Sequence, residues 1–471
     1  MSRGWLTGWL IAGLLVASHG RALGQSTGKS SERAGREAPA FLEQYEWKVY
    51  DLSRERKGFA DDYPPLYRTR GSDGVDGELL AIYACTLKRY DADANVLLDA
   101  IARQKKQYGT VLSSAFFESS DGKVWLETSK GLLAYGPSGA RRVKREEMEQ
   151  EEPASLLSIV FFPLGIVEGL LKAVFGAEGM RVTCICETDD GDLWFGTEKK
   201  GLLHHIPVRG GEGRWEGFKG SKSGLPSDHV TALAAGPDDR IWVGTKKGLV
   251  VFANGKHLRI PRVEEEFDTH IRFLHCAPKG QLWVGTGRAK DALCVVKPGD
   301  KSENLTWDAR GTREEVQCLY DLPLGTRSGE LWLRRKLLKP LVLEGRKVEA
   351  AELLRVVESH GSRRFQVHSR QGVEGDSADG IVGGLADQWV NALAEDDKGR
   401  LWVALEGGIS VFDPEGRRWH TVLPAGEDSP IGGQPPKSIS MRSVVVGADG
   451  SVWFGGENAI VGLVSKKVGP R

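Results

Sequence analysis

Apolar and polar positions alternate in short runs along residues 214–254, and each run is closed by turn residues. Arg214-Trp215-Glu216-Gly217-Phe218 mixes large apolar with polar residues before Ser223-Gly224-Leu225-Pro226 breaks the run. A small-residue strand follows at Val230-Thr231-Ala232-Leu233-Ala234, and Gly236-Pro237-Asp238-Asp239 turns the chain. Ile241-Trp242-Val243-Gly244-Thr245 and Gly248-Leu249-Val250-Val251-Phe252 complete four strands, the pattern of one antiparallel sheet.

The unit recurs. Trp194-Phe195-Gly196-Thr197 and Trp283-Val284-Gly285-Thr286 match Trp242-Val243-Gly244-Thr245, and looser copies lie at Trp125, Trp332, Trp402 and Trp453. Successive tryptophans are 69, 48, 41, 49, 70 and 51 residues apart, a spacing that marks one supersecondary unit built repeatedly. A small sheet with two apolar faces needs a similar sheet on each side, and radial stacking around an axis supplies one to every copy. The expected fold is therefore an all-β, seven-bladed β-propeller of four-stranded antiparallel blades over 111–465, with the tryptophan filling the gap between blades and the small-residue strand innermost. Neither long gap is long enough for two blades, so insertions are expected at about 141–179 and 348–384. The last blade lacks a fourth strand, and Trp47-Lys48-Val49-Tyr50 repeats the aromatic pattern of Arg214–Phe218. Residues 41–110 are expected to supply this closing strand at 47–50 together with a small helical segment at 95–106.

The repeat, with its turn, Leu-Trp-Val-Gly-Thr and Gly-Leu, and with Ser223-Gly224-Leu225-Pro226 ahead of Val230, resembles the two-component regulator propeller repeat. The resemblance spans roughly 110–465 and weakens where Arg334-Arg335 and Ala404-Leu405 replace Gly-Thr. It implies a sensing propeller of the kind found in the periplasmic part of hybrid histidine kinases, and a structural signature with no catalytic residues to transfer. The sequence reaches Arg471 without a sandwich, membrane helix or kinase, so direct kinase signalling is not expected.

Composition narrows the picture. Lys plus Arg equals Asp plus Glu at 64 each, which argues against a nucleic-acid binder, while 60 Gly and 14 Trp fit turn-rich β structure. Residues 1–24 combine Arg3, an apolar stretch from Trp5 to Val16 and small residues ending Ala22-Leu23-Gly24, the pattern of a signal peptide. An exported, periplasmic or extracellular protein is expected, with a flexible leader over 25–40; an uncleaved anchor helix is the other reading. Cys184, Cys186, Cys276, Cys294 and Cys318 fall on expected strands without metal-type spacing, and read as small buried apolar groups or, in an exported chain, as disulfide partners.

Candidate chemistry comes from the loop leading into each innermost strand, which opens on one face of the central channel. Aligning the tryptophans places Leu112, Arg181, His229, His270, Glu315, Trp389 and Ser440 at this mouth, with Asp228, Asp268, Gln388 and Arg442 close in sequence. Two histidines, two arginines, acids and a tryptophan suit a small polar or glycan ligand held by stacking and charge; solvated loop residues around a water-filled pore are the bland alternative. His229 and His270 have no recognisable third ligand, so neither a metal nor a cofactor is expected. Asp189-Asp190 and Asp396-Asp397 precede the tryptophan turns and are read as hairpin formers.

The first insertion carries Arg141–Arg145, an acidic run and an apolar stretch over 156–176. It is expected to form a helical hairpin broken near Pro163; peripheral membrane contact or partner docking through 153–177 is the alternative. The second is expected to open with a helical stretch over 351–357 and continue as an exposed loop. The leading functional expectation is an exported, non-enzymatic module that binds a ligand or an envelope protein. The rival is a carbohydrate-active hydrolase or lyase using Glu315 with Arg181 or His229.

Overall fold

The computed structural model describes residues 40–52, 66–69, 77–83, 86–91, 96–101, 104–111, 117–136, 139–143, 181–208, 213–237, 239–253, 255–277, 280–287, 293–297, 301–304, 318–337, 341–343, 346–348, 351–359, 362–375, 380–387, 389–424, 440–447, 449–456 and 459–466. Residues 40–471 form one compact unit of antiparallel sheets.

There are eight blades, not seven. Blade 1 comprises Leu66–Arg68, Leu79–Tyr83, Thr86–Asp91 and Val96–Asp99, which lie within the stretch expected to be partly helical. Blades 2 to 5 have their tryptophan strands at Val124–Thr128, Leu193–Thr197, Arg240–Thr245 and Leu282–Thr286. Blades 6 to 8 have theirs at Leu331–Leu337, Leu401–Leu405 and Val452–Gly456. Blade 1 escaped the tryptophan count because Leu80 takes the tryptophan's place. The register Tyr67↔Leu80 puts Leu80 second in its strand, and it packs with Leu87, Val124, Leu126 and Leu133 of the interface to blade 2.

Eight apolar clusters, one per blade boundary, run round the ring and return to its start. Trp125 packs on Val182 and Phe195 of blade 3, Trp194 on Val243 and Phe252 of blade 4, and Trp242 on Ile271 and Val284 of blade 5. Trp283, Trp332 and Trp402 continue the series, and Trp453 meets Leu66, Leu79 and Tyr90 of blade 1, with the Trp453 and Tyr90 ring centroids 5.1 Å apart. The indole N–H of such a buried ring needs an acceptor, and the preceding turn provides it. Trp125 Nε1 donates to Ser119 Oγ at 3.1 Å, Trp402 Nε1 to Asp396 Oδ2 at 2.8 Å, and Trp453 Nε1 to Ser451 Oγ at 3.0 Å. Asp396 also takes the Lys398 and Arg400 N–H groups, so this carboxylate shapes its hairpin.

The glycine two residues past the tryptophan is required by the next blade. A Cβ on Gly244 would lie 2.6 Å from Ile271 Cγ2, and one on Gly196 would lie 2.6 Å from Val230 Cγ1. Each glycine thus lets the following innermost strand approach.

The segment at 47–50 lies in Tyr45–Asp51, which pairs antiparallel with Ala459–Ser465, Trp47 opposite Leu463, as the outer strand of blade 8. The helical expectation for 351–357 is overturned. Ala351–Ser359 is a strand of blade 6, paired with both Leu331–Leu337 and Ser362–Ser369, and Gly372–Gly375 adds a fifth strand. Its sequence Leu353-Leu354-Arg355-Val356 packs Leu353 toward blade 7 and Leu354 and Val356 toward blade 5, a two-faced burial that a helical period imitates over so short a run. The inserted element is a separate hairpin, Leu341–Leu343 with Arg346–Val348. The helical expectation at 95–106 reduces to a four-residue helix, Gln104–Gln107, behind the strand Val96–Asp99. Gly139–Val143 is the outer strand of blade 2, and the apolar stretch of the first insertion lies outside the described residues, as do the signal-peptide and leader segments. No described helix is long and apolar enough to cross a membrane.

Candidate functional site

The innermost strands of blades 3, 4, 5, 7 and 8 each carry one side chain out of register. The pairing with the tryptophan strand skips Thr183, Thr231, Arg272, Asn391 and Arg442, one residue after the buried apolar residue that opens the strand. Such a bulge re-aims a side chain, and here it points toward the neighbouring blade. Thr183 Oγ1 donates to Val230 O at 2.7 Å, Thr231 Oγ1 to Ile271 O at 2.6 Å, and Asn391 Nδ2 to Met441 O at 2.8 Å. Arg272 reaches Asp321 at 3.2 Å; Arg334, standing where other blades have glycine, donates to the same carboxylate at 2.6 and 2.9 Å and to Val390 O at 2.8 Å. These bonds make a polar belt along the innermost strands from blade 3 to blade 8.

One step above this belt lies the rim. The carbonyls of Arg181, His229, His270 and Trp389 accept N–H bonds from Glu198, Lys246, Gly287 and Glu406 at 2.8, 3.0, 2.7 and 3.0 Å. Every donor is the fourth residue after its blade's tryptophan, so the four mouth residues are structurally equivalent and face one end of the ring.

The blades 3 to 5 side of the rim is cationic. Arg181 Nε lies 3.5 Å from Glu198 Oε2 while its side chain remains 66% exposed. Burial and the Lys246 charge hold the His229 pKa below its ordinary value, partly opposed by Glu198. Burial, then Arg272, Lys246 and His229, do the same for His270. Both imidazoles are therefore neutral at pH 7 and surrounded by fixed positive charge.

Blades 7 and 8 supply a different chemistry. Trp389 is 41% exposed and is the exposed tryptophan among the described residues. Glu406, whose N–H fixes the Trp389 carbonyl, pairs with Arg442 at 3.0 Å, and Arg442 also reaches Asn391 Oδ1 at 3.4 Å. An aromatic face beside a charged pair suits a ligand with both an apolar face and polar edges.

Other residues expected at the mouth behave differently. Asp228 Oδ1 accepts the Gly220 N–H at 2.7 Å and its carbonyl accepts Gly201 N–H at 3.0 Å, so it anchors the incoming loop. Asp268 is exposed on the segment entering blade 5, whereas Ser440 is buried. Leu112, Glu315 and Gln388 lie outside the described residues. Among the described residues no group of three His, Cys, Asp or Glu could hold a metal, and Cys184, Cys186, Cys276 and Cys294 are free thiols. Burial pushes Cys184 up to about 12, as befits a thiol packed inside the ring.

Sequence reasoning missed Lys246, Arg272, Asn391 and Glu406, which a position-by-position alignment of the repeats on their tryptophans would have exposed. It also missed Glu127, which stands at the glycine position of blade 2. Glu127 is 2% exposed, accepts the Val182 N–H at 2.9 Å through Oε2, and leaves Oε1 buried without a hydrogen bond. Burial lifts its pKa to about 7, against the pull of that N–H and of Arg181. A carboxyl so perturbed is a common mark of catalysis, but this one lies under the rim and is covered by blade 3.

The family model of the two component regulator propeller matches residues 176–199, 224–247 and 384–407, which include the tryptophan strands of blades 3, 4 and 7. These three segments are similar to the two-component regulator propeller repeat. Among solved structures, the extracellular domain of a putative hybrid two component system from B. thetaiotaomicron is similar at 16% identity, covering 76% of this chain and 38% of its own, with a TM-score of 0.43. An inactive virginiamycin B lyase from Staphylococcus aureus, in complex with quinupristin, is similar at 13% identity over 74% of this chain and 93% of its own, TM-score 0.40. The chain thus spans about two fifths of the first of these proteins and nearly all of the second. At such identities and scores neither neighbour assigns a function. No curated protein matches the chain.

Proposed function

We propose that this two-component regulator propeller is an exported binding module of the sensing type, which takes a small polar or glycan ligand at the mouth of its central channel. The observation that carries the reading is the shared carbonyl bond that sets Arg181, His229, His270 and Trp389 on one rim, with Trp389 exposed there. Burying a tryptophan at 41% exposure against a sugar face would recover apolar area left open in the free protein. The described rim carboxylates are engaged: Asp228 in its loop, Glu406 with Arg442, Glu198 beside Arg181. This supports binding over acid–base chemistry. Export rests on the amino-terminal segment alone.

Titration calorimetry of the purified protein against neutral oligosaccharides tests the proposal, with Trp389→Ala as the matched variant. Saturable binding that Trp389→Ala weakens at least tenfold is expected; an unchanged affinity would remove the rim from the account. Chromatography of the incubated sugars reports cleavage, and any product would replace binding with catalysis.

A further inference from the structure

Beside the rim, on the same end of the ring, a groove of about 600 Å³ runs between blades 3 and 4. The turn after Thr245 joins the two places: Lys246 N–H binds the His229 carbonyl at the mouth, and Lys247, next in the chain, lines the groove. Its floor is apolar, with Phe218, Leu225 and Leu249. Its rim is cationic, with Lys222, Lys247, Lys256 and Arg259.

The charges of the groove lysines are unopposed. The chain as a whole is neutral, with 64 residues of each sign, yet the ammonium groups of Lys222, Lys247 and Lys256 have no carboxylate within ion-pair distance among the described residues. The carboxylate in the groove, Glu264, is already committed: its Oε1 lies 3.2 Å from His257 Nε2 and accepts the Ile260 N–H at 3.2 Å, and Arg259 approaches its other oxygen at 4.0 Å. Gly224 closes against His257, where a Cβ would lie 2.3 Å from Cγ, so the loop carrying Lys222 and the outer strand carrying Lys256 are held together as two walls.

We infer that this groove is a second binding site, for an acidic saccharide of two or three units whose carboxylate or sulfate groups meet the three lysines while a sugar face covers Phe218. Its size falls within the usual range of ligand pockets. The apolar floor favours a ring-shaped ligand over a bare inorganic anion, and the separation of the lysines on three different segments favours more than one anionic group. The site does not depend on the channel mouth, and a ligand binds here with the rim disabled.

Digalacturonate, a sulfated disaccharide, neutral cellobiose and inorganic phosphate are titrated into the whole protein at low and high salt. The comparison set is wild type, the triple variant Lys222→Gln/Lys247→Gln/Lys256→Gln, and the rim variant Trp389→Ala. Exposed charge pairs contribute up to about fivefold each in binding, so the triple variant is expected to lose acidic-saccharide affinity by ten- to a hundredfold. Trp389→Ala should keep it, and added salt should weaken it in the wild type. Circular dichroism melting confirms that the exposed lysine changes leave the fold intact. Binding of cellobiose or of phosphate that equals that of the acidic sugars and is lost in the triple variant, or acidic-saccharide binding unchanged in the triple variant, would each overturn the assignment. So would no binding of either acidic sugar. Loss of all binding in Trp389→Ala would return the ligand to the mouth alone.

Discussion

Glu127 offers the sharpest test of how the ring is held. It stands where other blades have glycine, its side chain fills the space between blades 2 and 3, and its pKa is lifted from 4.5 to about 7 chiefly by burial. A shift of that size makes its ionisation cost about 3 kcal/mol more in the folded protein than in the unfolded chain, at ~1.4 kcal/mol per pKa unit. The sign follows from proton binding: between pH 4.5 and 7 the folded protein holds the proton and the unfolded chain releases it, so this contribution is complete below 4.5 and is lost as pH rises through 7. Glu127→Gln keeps an oxygen for the Val182 N–H but cannot ionise. Urea unfolding of both proteins across pH 4 to 8.5 is expected to show the variant gaining on wild type by up to about 3 kcal/mol above pH 7, and the gap narrowing toward pH 4.5. A gap independent of pH would show that Glu127 ionises freely and that the interface between blades 2 and 3 is wet.

Further expectations concern packing, acid stability and the rim. Gly244→Ala drives a Cβ to within 2.6 Å of Ile271 Cγ2, and its thermal unfolding should show about 1–3 kcal/mol of lost stability; an unchanged protein would mean that blades 4 and 5 slide apart freely. His368 is fully buried, accepts the Trp419 indole N–H at 2.9 Å and has its pKa held well below 6.5 by burial and then Arg355. Wild type should therefore lose up to about 1.4 kcal/mol per pH unit below pH 6.5 through this group, a slope that His368→Leu should flatten in acid denaturation. Trp402→Ala empties a fully buried interface position and should cost about 3–5 kcal/mol, whereas Trp389→Ala should change stability by less than about 0.5 kcal/mol and show its effect in ligand titration. If an anionic ligand binds beside His229 and His270, whose pKa values lie below the ordinary one, its affinity should rise as pH falls toward 5, and a flat profile by calorimetry would place the anion elsewhere.

The tryptophan strands were legible because the requirement behind them is local and repeated: a large ring to fill a widening gap, then a glycine to admit the next strand. Where one position departs from that rule the sequence misleads. Leu80 does the tryptophan's work in blade 1 with help from Leu87, Ile101 and Val111, and nothing local distinguishes it from any other buried leucine. Arg355 and its neighbours in Ala351–Ser359 spaced their apolar residues as a short helix would, and the pairing of that strand on both sides decided otherwise.

The sequence by itself determined the β-propeller architecture and the tryptophan strands of seven blades, since each follows from patterns within one unit. Only the tertiary structure decided the number of blades, the polar belt of bulged side chains, the burial of Glu127 and the cationic groove. Those depend on which face of one blade meets the next, and the contacts at issue join residues such as Leu66 and Ser443, which are 377 positions apart in the chain.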